Sequence, residues 1–164
     1  MPAISTTKEI SGYIILLAPL IFICHFIEEA PGFVSWFNHH VNSGINYRLF
    51  WSVNIFALVI TIAVVVIEFI SPSPFSAFLV VLWFSFLMLA NALFHITGAI
   101  TDKAYMPGLI TAVILYLPYY FFMMGNILKS RRMKIFPITG VALLGSLPML
   151  IHGYMILFLR DRLF

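Results

Sequence analysis

Five apolar runs, each long enough to cross a bilayer, constrain this chain more than any other feature. A hydrocarbon core about 30 Å thick takes about 20 helical residues at a rise of about 1.5 Å each. With that window the runs are Ile10–Glu29, Leu49–Ile70, Phe75–Gly98, Tyr105–Leu128 and Ile135–Leu159. Of the 164 residues 62% are apolar and 9% are charged, against about 25% charged in an ordinary soluble domain. A folded chain of this size still exposes about 30% of its unfolded area, too much to hide that apolar surface from water. The expected fold is all-α: a polytopic membrane bundle of five transmembrane helices, one domain over 1–164, with a polar cavity near one membrane face. Soluble enzymes, disordered chains, coiled coils and disulfide scaffolds are excluded.

The remaining punctuation fits that reading. Cys24 is the single cysteine, so no intramolecular disulfide forms. The net charge of +3 comes from basic residues between the runs, where they set orientation or meet anionic headgroups rather than nucleic acid. Lys8 precedes the first run, which is long enough to span and lacks a small-residue cleavage site, so it reads as an uncleaved helix. Ser71-Pro72-Ser73-Pro74 is a short turn that forces an antiparallel hairpin, and Pro19, Pro118 and Pro148 each remove a hydrogen bond inside a run. The connection Ala30–Arg48 interleaves Phe33, Trp36, Phe37 and Tyr47 with Asn38, His39, His40, Asn42 and Asn46. That mixture suits a segment at headgroup level, or a lid over a cavity mouth. Lys8, Lys129, Arg131, Arg132 and Lys134 fall on one side and Arg48, Lys103, Arg160 and Arg162 on the other; the dense Lys129–Lys134 cluster favours an amino terminus inside.

Polar residues within the runs are few and patterned. His25, Glu28 and Glu29 stand at i, i+3 and i+4, on one helical face. Asn91 and His95 are again i and i+4 near the end of the third run, and His152 lies about two turns before Arg160. Pro107-Gly108 and Thr111 open the fourth run, and Asn54 lies about one turn into the second. With five spans, the ends of the odd runs and the starts of the even ones share one membrane depth. Glu68 is the exception, at the opposite end.

An ionised carboxylate in hydrocarbon costs about 2.5–3.5 kcal/mol on insertion scales, so intramembrane Glu and His line cavities and carry function. His25, Glu28, Glu29, His95 and His152 offer nitrogen and oxygen ligands suited to zinc or iron. Glu28 or Glu29 serves equally as a general acid or base, with Asn91 and Thr111 holding a substrate oxygen or orienting a histidine. Both chemistries need the same residues in the same place, so the sequence leaves a metal-free site open. Against them stand plainer roles: His25 and His95 as hydrogen-bonded bundle histidines, Asn91 as a helix cross-link, His39 and His40 as interfacial residues.

Three motifs in order then carry a resemblance. His25-Phe26-Ile27-Glu28-Glu29, Asn91-Ala92-Leu93-Phe94-His95 and Pro107-Gly108-Leu109-Ile110-Thr111 match His-x-x-Glu-Glu, Asn-Ala-x-x-His and Pro-Gly-x-x-Thr. The chain thus resembles the bacterial and archaeal membrane-protein family named for its His-x-x-Glu-Glu motif. The resemblance implies a multi-span protein of a prokaryotic cytoplasmic membrane and admits an enzyme; it supplies residues without a reaction. The carboxyl-terminal third matches no family motif, so His152 rests on topology alone.

The expected function is a small membrane-embedded enzyme performing zinc- or iron-assisted hydrolysis on a lipidic or apolar substrate. A metal-free carboxylate/histidine isomerase or cyclase uses the same residues. A metal-ion or proton-coupled transporter is a third reading, although five spans give no even inverted repeat unless a homo-oligomer supplies one. A structural subunit stabilised by its polar cluster is a fourth. Expected partners are the bilayer and an apolar small molecule, not nucleic acid.

Overall fold

Ser73 shows how local chemistry sets the architecture. Its hydroxyl accepts the Ser76 N–H at 3.1 Å, while the Ser76 hydroxyl accepts the Ser73 N–H at 2.8 Å. This reciprocal cap satisfies two orphan donors and starts a helix at Pro74, immediately after a helix that ends at Ile70. The computed structural model describes residues 12–42 and 44–159. Lys8 and Ile10, at the expected start of the first span, lie outside the described residues, as do Arg160 and Arg162.

Five helices have the length and apolarity to cross a membrane: α1 (Gly12–Glu29), α3 (Tyr47–Ile70), α4 (Pro74–Asp102), α5 (Leu109–Lys129) and α6 (Ile135–Leu159). Between α1 and α3 lies a short helix, α2 (Phe33–His40). The described residues contain no strand. The protein is an all-helical integral membrane protein. Val53, Phe56, Phe121 and Leu143 are exposed on the outer faces, as expected where lipid rather than water is the solvent.

α4 is the most buried of the five and packs against α3, α5 and α6. Gly145 lets α6 approach it closely, since a Cβ there would collide with the backbone carbonyl of Leu82. The core of Phe22, Val81, Phe84, Met88 and Tyr116 fills the space between α1, α4 and α5. Two departures from the α-helix adjoin prolines. Pro19 has no N–H for the carbonyl of Ile15, and the Tyr119 hydroxyl donates to that carbonyl at 3.1 Å, tying α5 to α1. Pro118 follows a π-helical turn at Ala112–Tyr116, and a second π turn, Ser85–Ala90, interrupts α4. The Ser85 carbonyl accepts the Ser146 hydroxyl at 3.2 Å, and its own hydroxyl meets Tyr120 at 2.9 Å, so one residue links α4 to both α5 and α6.

At the membrane face opposite the polar cluster, Glu68 is buried and contacts Arg132 at 2.6 Å, with the Ser76 hydroxyl donating to its other oxygen at 2.6 Å. The exceptional carboxylate of the second span is thus held by the basic loop between α5 and α6.

Candidate metal centre

The cluster forms where α1 and α4 end and α5 begins. His25 and Glu29, one turn apart on α1, face His95 of α4, and all three side chains are buried. One oxygen, Glu29 Oε1, lies 3.0 Å from His95 Nε2 and 3.4 Å from His25 Nε2. One ligand atom from each residue lies within 4.8 Å of the others. Apart from these contacts with Glu29, neither Nε2 has a hydrogen-bond partner among the described residues, and His95 Nδ1 has none among them. A metal bound at about 2.0–2.1 Å sets tetrahedral ligand atoms about 3.3–3.4 Å apart. The 3.4 Å separation matches that edge, the 3.0 Å one is somewhat shorter, and all three ligand atoms lie within 4.8 Å of one another, so small side-chain shifts would let the three residues hold a zinc-sized ion.

Glu28 points elsewhere. Its carboxylate accepts the Tyr105 hydroxyl at 2.5 Å, the N–H groups of Ile110 and Thr111 at 3.0 and 2.7 Å, and the Thr111 hydroxyl at 2.5 Å. Two of those donors are orphan amides of the first turn of α5, so Glu28 caps a helix N-terminus from another helix. The capped Thr111 oxygen lies 2.8 Å from His25 Nδ1. Because the Thr111 hydrogen goes to Glu28, that oxygen is an acceptor and His25 Nδ1 carries the proton. That leaves His25 Nε2, which faces Glu29, as the nitrogen able to offer a lone pair, as in metal-ligating histidines whose other nitrogen is held by an outer hydrogen bond.

Gly108 closes the site from the α5 side. Its φ of +93° is a left-handed conformation that suits glycine, and a Cβ there would stand 2.7 Å from His95 Cε1, 2.9 Å from Glu29 Cγ and 3.1 Å from His25 Cε1. The backbone at Gly108 therefore lies against all three cluster residues at once. Pro107 in turn packs on Gly32, where a Cβ would come within 2.8 Å of the proline ring.

α2 covers the cluster. The Phe33 ring lies 6.2 Å from His95, and Phe37 packs with Phe94, Met106 and Ile156. Asp102, at the end of α4, accepts the Trp36 indole N–H at 2.7 Å and meets His40 Nε2 at 3.0 Å, while His40 Nδ1 meets the Trp36 carbonyl at 2.9 Å. Carboxylate and carbonyl both accept, so His40 is held between two acceptors, one at each ring nitrogen. His40 is buried, unlike the interfacial residue expected from sequence; His39 is exposed.

The other expected site residues divide. Asn91 sits one turn before His95, with Oδ1 buried and unpartnered. Thr111 bridges Glu28 and His25 instead of contacting the three-residue group by itself. His152 does not join that group: it is exposed, with its ring stacked 6.4 Å from Phe37. Asn54 bonds back to the Phe50 carbonyl of its own helix at 3.0 Å. Residues 16–124, more than half of the chain, match the family described as "Protein of unknown function with HXXEE motif". The chain belongs to this family. No curated protein and no solved structure matches it. The matched span holds the HXXEE motif and both companion motifs, and it ends before α6 and His152. Within the HXXEE motif the two glutamates have separate tasks, Glu29 in the cluster and Glu28 at the start of α5. Sequence reasoning placed Gly108 only at the start of the fourth run, not against the cluster, and missed Tyr105, Tyr116, and the Trp36–His40–Asp102 group. The Pro-Gly pair and Tyr105 beside it were the signals available for the first two.

Proposed function

We propose that this HXXEE protein is a membrane-embedded metalloenzyme in which His25, Glu29 and His95 hold a zinc or iron ion. The reading rests on two buried Nε2 atoms facing one buried carboxylate oxygen, with no other hydrogen-bond partner among the described residues. With both Nε2 atoms unprotonated, each sets a lone pair against the carboxylate in a low-dielectric interior, and one cation relieves both contacts together. Two histidines and a glutamate are a ligand set of catalytic zinc, leaving the fourth tetrahedral position to an exogenous ligand. Such an ion polarises a carbonyl or lowers the pKa of water, which suits hydrolysis. An apolar substrate arriving from the bilayer fits the surroundings, because Ile27, Leu93 and Ile110, near the cluster residues in sequence, are all exposed apolar side chains on membrane-length helices. The basic cluster Lys129–Lys134 supports an amino terminus in the cytoplasm, with the metal centre toward the opposite face.

The 3.0 Å contact between Glu29 and His95 also favours a second reading, a proton shared between them in metal-free acid–base catalysis. Elemental analysis of tag-free, detergent-purified protein separates the two. About one zinc or iron per chain, reduced but not abolished in Glu29→Gln and His95→Ala, is expected for three protein ligands. A metal-free wild type supports the acid–base reading instead.

A further inference from the structure

The buried tyrosines of α5 use their hydroxyls, with one exception. Tyr119 donates to backbone carbonyls of α1 and Tyr120 pairs with Ser85. Tyr116 is 0% exposed, and its hydroxyl has no hydrogen-bond partner among the described residues. A phenylalanine fills the same space without the cost of a buried, unpaired hydroxyl, so the oxygen calls for a ligand.

Its location says which. Tyr116 ends the π-helical turn that begins just after Thr111. The i→i+5 hydrogen bonding of a π turn brings residue i+5 near residue i, whereas five residues along an α-helix leads well round the cylinder. Both side chains accordingly reach the same imidazole. Thr111 Oγ1 is 2.8 Å from His25 Nδ1, and the Tyr116 ring lies 4.2 Å from the His25 ring with a 35° tilt.

A divalent ion held by two neutral imidazoles and one carboxylate leaves a net positive charge, which an anionic oxygen neutralises. Hydrogen bonds to such an oxygen are strong in a dry site and favour a neutral donor already in place. We infer that the fourth position of the metal centre takes an anionic oxygen ligand, a carboxylate or the oxyanion of an attacked carbonyl, with the Tyr116 hydroxyl as its hydrogen-bond donor. This rests on the metal reading above. It makes Tyr116 a ligand-binding residue of the centre without making it a metal ligand.

The test uses full-length protein loaded with cobalt(II), whose visible ligand-field bands report the coordination sphere, titrated with acetohydroxamate as the anionic oxygen probe. Tyr116→Phe removes one atom and is expected to keep one cobalt per chain while binding acetohydroxamate roughly 10- to 100-fold more weakly than wild type. Equal affinity in the two proteins, with cobalt retained in both, overturns the inference. Loss of cobalt from Tyr116→Phe also overturns it, since the tyrosine then acts on the metal site itself. If wild type binds no cobalt, the metal reading fails and the inference falls with it.

Discussion

Thr111 Oγ1 stands 2.8 Å from His25 Nδ1 while giving its own hydrogen to Glu28. The pair connects a buried imidazole to a carboxylate nearer the surface, and it fixes which nitrogen of His25 is free. In the proposed centre the second glutamate of the HXXEE motif would supply a ligand, and the first would keep a histidine in the tautomer that ligation needs.

Thr111→Val keeps the shape of the side chain and removes the hydroxyl. Losing an outer-sphere partner of this kind is expected to weaken metal binding about 10- to 100-fold. Thr111→Ser restores most of it. Competition against a calibrated chelator measures both, and an unchanged affinity in the valine variant removes the relay from the account.

Gly108→Ala places a methyl against His95, Glu29 and His25 together at a backbone φ of +93°. Left-handed strain and overpacking add to about 2 kcal/mol or more. The expected result is a thermal midpoint in detergent lower by several degrees and a lower metal content. Gly140→Ala, where a Cβ meets nothing within 4 Å, leaves both unchanged.

Arg132→Ala leaves the Glu68 carboxylate buried without its cation. Breaking a fully buried pair costs about 3–5 kcal/mol. The Arg132 side chain is 20% exposed, so about 1–3 kcal/mol is expected here, read as a lower thermal midpoint. Metal content stays at the wild-type value, because this pair serves the opposite face of the bundle. A parallel loss of metal marks the two ends as coupled, which is the transporter's signature.

Tyr105 lies outside the spans and gives a pH signature. Desolvation of its hydroxyl, together with its hydrogen bond to the Glu28 carboxylate, pushes its pKa from 10.0 up to about 12. The folded state holds this proton more tightly than the unfolded one. Its contribution is therefore whole below pH 10.0 and is lost as pH rises toward about 12. The phenolate absorbance of wild type minus that of Tyr105→Phe is expected to titrate near the upper value. A midpoint near 10.0 means that the contact with Glu28 is not made.

Much of this was legible in the sequence because membrane helices announce themselves by run length. The Ser71–Pro74 hairpin and the four expected span starts that fall on described residues agree with the structure to within about four residues. The third helix outruns its expected end at Gly98 and stops at Asp102, where Lys103 takes a left-handed φ of 52°. Counting spans also brought His25, Glu29, His95 and Thr111 to one depth. The division between Glu28 and Glu29 was not legible, because neighbouring residues point about 100° apart and packing decides which faces inward. Tyr116 depends on a π turn that periodicity does not announce. His40 and Asp102 meet across 62 residues, through a helix too short to stand out from a loop.

X-ray absorption at the metal edge of tag-free protein, as purified in detergent, tests the central claim most directly. The account predicts only nitrogen and oxygen scatterers at about 2.0–2.1 Å with the outer-shell signature of two imidazoles, falling to one in His95→Ala. Sulfur scatterers, an imidazole count unchanged in His95→Ala, or no metal edge above background contradicts it.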